Sequence, residues 1–85
     1  MQIDNTELKG TRDRLARIQG QIGGIIKMID ENRDCVDILV QLAAANTALS
    51  KAGFSIVSTG MRHCATLENG EKERVALEKA FMSLA

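Results

Sequence analysis

The chain has 85 residues, zero formal net charge at pH 7, two cysteines, one histidine and two aromatic residues, Phe54 and Phe81. A chain this short makes one small domain with a thin core, which oligomerisation commonly completes. There is no strong basic excess of the kind that marks a nucleic-acid domain, no aromatic platform for single-stranded bases, too few cysteines for a disulfide scaffold and no apolar run near the ~18 residues that span a bilayer, so the expectation is a single domain over residues 1–85, cytoplasmic, with reduced thiols and no membrane contact.

Residues 1–5 read as a frayed lead-in. Asp4, Asn5 or Thr6 is placed to cap a first helix, with Glu7 in its first turn. Leu15, Ile18, Ile22, Ile25 and Ile29 then recur in alternating steps of three and four, the stripe of an amphipathic helix of about six turns. Gly20, Gly23 and Gly24 interrupt it at roughly 1 kcal/mol each against alanine. Close helix–helix approach and local flexibility or close approach to a ligand both account for them. Asp30 to Asp34 breaks the apolar pattern and reads as a turn, with Asn32 or Asp34 capping the next helix.

The second helix is the longest and carries both cysteines. Leu39, Leu42, Asn46, Leu49, Gly53, Ile56 and Gly60 mark one stripe. Ala43, Ala44, Ala45, Ala48 and Ala52 add a small-residue surface beside it, so neighbours are expected on several sides. Glu68 to Glu71 reads as a turn. A short third helix follows, with Val75, Leu77, Ala80, Phe81 and Leu84 as its apolar face, packing across a bundle end or against another dimer.

Cys35 falls in the first turn of the second helix and Cys64 near its end. Twenty-nine residues of helical rise place them ~43 Å apart, far beyond the ~7 Å between Cα atoms that a disulfide tolerates. Two copies packed antiparallel would bring Cys35 of one beside Cys64 of the other, twice per dimer. Such a pair is open to three readings: small buried hydrophobes, soft ligands for Cu(I), or a thiolate that attacks a sulfane or disulfide sulfur with a second thiol to resolve it. His63 is a third metal ligand, a base beside Cys64, or a solvated surface residue. Lys9, Arg12, Arg14, Arg17 and Lys27 either solvate an outer face or, repeated by symmetry, form a phosphate-binding surface. There is no serine–base pair, phosphate loop or zinc spacing, so no cofactor and no enzymatic activity are expected.

RLARIQGQIGGIIKMIDENRDCVDIL, followed by MRHC, resembles the CsoR/RcnR family of small all-helical repressors, over residues 12–64. The resemblance implies an all-α, three-helix protomer, an antiparallel dimer forming a four-helix bundle, and a homotetramer of two dimers. It implies a repressor that binds double-stranded operator DNA through Arg14 and Arg17, with Lys9 and Arg12 beside them, and lets go when an inducer acts at Cys35. In the copper sensors of the family a histidine stands where this chain has Gly60, and a tyrosine often stands where it has Asp34. The nickel and cobalt sensors use N-terminal histidines and the formaldehyde sensors an N-terminal proline, and this chain has neither. A basic residue common in relatives is replaced by Gly23. Cys35 and Cys64 without the intervening histidine resemble the persulfide-sensing CstR branch, whose inducer is a reactive sulfur species. The alternative within the family is a Cu(I) sensor using Cys35, Cys64 and His63. The reading from another class is an inert helical oligomerisation module.

Overall fold

The computed structural model describes residues 1–84, which form three helices: α1 (Lys9–Asp30), α2 (Cys35–Cys64) and α3 (Gly70–Met82). The all-α, three-helix expectation holds. The chain enters α1 through a run of tight turns rather than a side-chain cap. The Asp4 carboxylate accepts from the Thr6 backbone N–H and hydroxyl, each at 2.8 Å. The backbone N–H groups of Glu7, Leu8 and Lys9 reach the carbonyls of Asp4, Asn5 and Thr6. Those bonds, each reaching back three residues, satisfy the amides that lead into the helix. The N-cap is accordingly Leu8, without a side-chain bond, and Glu7 lies before the first turn rather than in it.

The break between α1 and α2 uses both candidate residues, for different tasks. Asn32 takes a left-handed conformation at φ 56°. Its N–H bonds to the Ile29 carbonyl and the Arg33 N–H to the Met28 carbonyl, the paired bonds of a Schellman ending. Asn32 therefore closes α1, and asparagine is one of the few side chains that tolerates this geometry. Asp34 opens α2, its carboxylate accepting from the Val36 N–H at 3.0 Å.

α1 folds back along α2, pinned by a hydroxyl pair of Thr11 and Ser55 at 2.6 Å. The buried residues recur every seven: Thr11, Ile18 and Ile25 on α1, and Ala45, Ala52 and Thr59 on α2. α3 lies along the second half of its own α2, not across a bundle end. Phe54 and Phe81 meet edge to face with centroids 6.0 Å apart. A Leu77 methyl lies 2.8 Å from where a side chain on Gly60 would begin, and a Leu84 methyl 2.7 Å from the same point on Gly53. The two glycines make room for α3. α1 and α3 do not pack on each other.

Gly70 is tighter still. A Cβ there would stand 2.0 Å from the Cys64 carbonyl oxygen, a backbone atom that cannot rotate aside. Gly70→Ala should lower stability by about 3 kcal/mol, against roughly 1 kcal/mol for Gly53→Ala or Gly60→Ala, whose leucine neighbours can turn. Thermal melts at one protein concentration would show that ordering, and equal losses would contradict it. At Gly20, Gly23 and Gly24 the same construction meets nothing within 4 Å. Close approach between helices of one chain is therefore not what these three serve.

The described chain measures 55 × 25 × 13 Å with a radius of gyration of 16.5 Å, against about 12 Å for a compact domain of this length. Thirteen ångströms is close to the thickness of one helix layer. The apolar stripes therefore divide. Ile18 and Ile25 face inward. Leu15, Ile22 and Ile29 on α1, with Leu42, Leu49 and Ile56 on α2, remain 36–57% exposed. No described helix is long and apolar enough to cross a membrane.

Candidate thiol pair and basic groove

Cys35 is the first residue of α2 and is exposed; Cys64 is the last and is buried. α2 runs unbroken between them, so the ~43 Å of helical rise stands and no intrachain bridge is possible. The surroundings of the two thiols differ. Cys35 follows a cap carboxylate, Asp34, that already accepts one free amide of the helix start, and Asp37 sits in the same turn. Cys64 does not open to solvent as a helix-end position would suggest. Gly70 packs against its carbonyl and the Met1 thioether lies 3.6 Å from its sulfur. A cavity of about 270 Å³ beside it is lined by Met61, Glu71 and Arg74 among others. Arg74 pairs with Glu71 and Glu78. Its pKa is raised above the ordinary arginine value first by the hydrogen bond and charge of Glu71 and then by the charge of Glu78.

His63 is half-buried, and its imidazole makes no hydrogen bond to a described residue. Gly60, one turn before Cys64, is covered by Leu77, so the face of α2 leading to Cys64 carries apolar packing where a third donor would stand. Among the described residues of one chain, no group of three His, Cys, Asp or Glu side chains comes together to hold a metal ion. Any site using both cysteines takes one from each of two copies.

The basic residues separate into two sets. Lys9 pairs with Asp13 at 2.9 Å, and Arg12 approaches the same carboxylate at 3.4 Å. The Lys9 hydrogen bond, and then its charge, hold the Asp13 carboxyl below its ordinary value. The same bond raises Lys9. Arg14 and Arg17 have no ion-pair partner among the described residues. They line a groove of about 350 Å³ between α1 and α2, together with Gln21, Thr47 and Lys51. Sequence reading missed Lys51. The signal was present, because between Asp37 and Arg62 it is the sole charged residue of α2, and a lone cation on a helix otherwise built of small and apolar side chains has no local partner.

Three comparisons bear on this arrangement. Residues 7–84 match the family described as metal-sensitive transcriptional repressor. The copper-sensing transcriptional repressor RicR of Mycobacterium tuberculosis is 38% identical over 53 residues, covering 62% of this chain and 55% of RicR. The copper-sensing transcriptional repressor CsoR of Bacillus subtilis is 35% identical over 68 residues, covering 78% of this chain and 67% of CsoR. The match therefore spans little more than half the length of the first relative. The solved structure of the nickel-responsive transcriptional regulator InrS superposes with a TM-score of 0.75 at 33% identity, covering 91% of each chain.

Proposed function

The chain belongs to the metal-sensitive transcriptional repressor family, and on that premise we propose that it holds operator DNA as an oligomer and releases it when an inducer acts on Cys35 and the partner's Cys64. The observation that carries this reading is a continuous helix with one thiol at each end and an apolar, half-exposed face between them. Two copies joined antiparallel through Leu15, Ile22, Ile29, Leu42, Leu49 and Ile56 make a four-helix bundle. The two-fold axis then sets each Cys35 beside a Cys64 from the other copy. Phe54, Met82 and Leu84, 59–69% exposed along the α2–α3 flank, offer a second apolar surface on which two dimers can join as a tetramer.

The inducer in this reading is a reactive sulfur species. The Cys35 thiolate attacks the outer sulfur of an organic persulfide. The persulfide passes to Cys35 and the organic thiolate leaves. The Cys64 thiolate of the partner then attacks the inner sulfur on Cys35, forming a disulfide and expelling hydrosulfide. The sulfane sulfur is the oxidant, reduced to sulfide as the two thiols are oxidised. The apolar cover over Gly60 supports two-thiol chemistry over a three-donor metal site. The relatives favour a second reading, Cu(I) held by Cys35 and Cys64 of two copies, because RicR and CsoR are named as copper sensors and Cu(I) accepts thiolate donors. Anaerobic intact-mass spectra separate the two. A cross-linked dimer after inorganic polysulfide supports the first reading. Unchanged mass with polysulfide, together with tight Cu(I) binding, supports the second. Failure of both leaves the thiols as packing residues.

DNA is met through the groove of Arg14, Arg17 and Lys51. On a duplex selected by the protein from a random library, Arg17→Ala or Lys51→Ala should reduce the slope of log affinity against log salt by about 1 for each phosphate that the variant no longer neutralises. Lys9→Ala should change it less, since Lys9 is engaged by Asp13. Fluorescence anisotropy across a salt series makes the comparison, and a larger slope change for Lys9 than for Arg17 would place DNA elsewhere.

A further inference from the structure

We propose that the Met1 thioether is a soft-metal donor beside Cys64, taking the part that the missing side chain at Gly60 cannot play. This rests on the copper reading and extends it. The Met1 and Cys64 sulfurs are 3.6 Å apart, a separation that one ion spans with two metal–sulfur bonds of about 2.3 Å. The pairing is placed by more than one contact. The Met1 nitrogen lies 3.5 Å from a Glu73 carboxylate oxygen on α3, so the first residue is tied across the end of α2 with its side chain turned to the thiol. The Met1 side chain is 10% exposed and Cys64 5%, so the two sulfurs lie together under one cover. The donor chemistry is uniform. Thiolate and thioether both select Cu(I) over harder divalent ions, whereas a set completed by His63 would mix nitrogen with sulfur. With Cys35 of the partner as the second thiolate, the donors number three, all sulfur.

The test uses the full chain, produced behind a cleavable fusion so that position 1 can be changed. Cu(I) affinity is measured anaerobically by chelator competition, and the metal's neighbours are counted by X-ray absorption for the unaltered chain, Met1→Leu and Met82→Leu. Expected are three sulfur neighbours and tight binding for the unaltered chain and for Met82→Leu. Met1→Leu should show two sulfurs and affinity weaker by roughly ten- to a hundredfold, at least what loss of a supporting group costs a metal site. If the unaltered chain binds no Cu(I), the copper reading and the thioether role fall together. If it binds and Met1→Leu keeps the same affinity and sulfur count, only the thioether role is overturned. A nitrogen neighbour that disappears in His63→Ala also overturns it, assigning the third donor to His63.

Discussion

Cys64→Ala, treated anaerobically with inorganic polysulfide, should yield no cross-linked dimer and stay on DNA, whereas the unaltered chain should cross-link and dissociate. Cys35→Ala should give the same result for a different reason. Cys35 is exposed and in the proposed reaction meets the sulfur donor first, so its loss should remove the persulfide itself. Cys64 is buried beneath Met1 and acts only by resolving, so Cys64→Ala should still gain sulfur mass at Cys35 without cross-linking. The two variants thus share a phenotype on DNA and differ in the mass spectrum. Basal DNA affinity should be unchanged in both, because neither thiol lines the groove of Arg14, Arg17 and Lys51. The effect is all or none, since a bridge between two sulfurs has no partial form. A Cys64→Ala protein that cross-links normally would end the two-thiol reading.

Leu49→Asp should leave the protein monomeric and largely unfolded. Leu49 is 48% exposed at the centre of the open stripe, between Leu42 and Ile56. Covering the remaining surface of each of the six stripe residues is worth about 1 kcal/mol, or roughly 12 kcal/mol for the pair of copies before the cost of association. Placing a carboxylate there opposes that sum twice per dimer, by several kcal/mol each time unless it stays in water. The single helix layer has little core to fall back on: among the described residues Ile18 and Ile25 are the only large aliphatic side chains it buries. Sedimentation should therefore show loss of the dimer and far-ultraviolet dichroism the loss of helix in parallel. The unaltered protein should have a melting temperature that rises with its concentration. A folded dimer of Leu49→Asp would mean that the open stripe is not where copies meet.

The sequence made some of this visible and hid the rest for physical reasons. Helix positions were legible because isoleucine and leucine recur at helical spacing, and that signal is local. The division of one stripe into Ile18 and Ile25 facing α2 and Leu15, Ile22 and Ile29 facing outward was not, because both sets obey the same spacing and only a third dimension separates them. The capping of α1 was hidden because Asp4 bonds Thr6 within its own turn, a competition that propensity does not rank. The glycines showed the same split. Gly53 and Gly60 receive a leucine from a later part of the chain and Gly70 the backbone of Cys64 six residues before it, and none announces it in sequence. At the site, the resemblance placed Arg14 and Arg17 together. Lys51 joined them only once α1 was folded back along α2. The burial of Cys64 under Met1 depends on residues 63 positions apart, beyond any periodicity.

The unbroken course of α2 has a further consequence for how signals travel. In the proposed dimer each α2 contributes its first residue to one inducer site and its last to the other. The two sites therefore share both rods. A bridge formed at one end fixes the register of the two helices relative to each other, and that register is the same one the far pair needs in order to meet. The second inducer event is thus coupled to the first through rigid backbone, with Lys51 carried between them on the same rod. Such linkage is reciprocal by thermodynamic necessity. DNA that favours one register must oppose induction by the free energy with which induction opposes DNA.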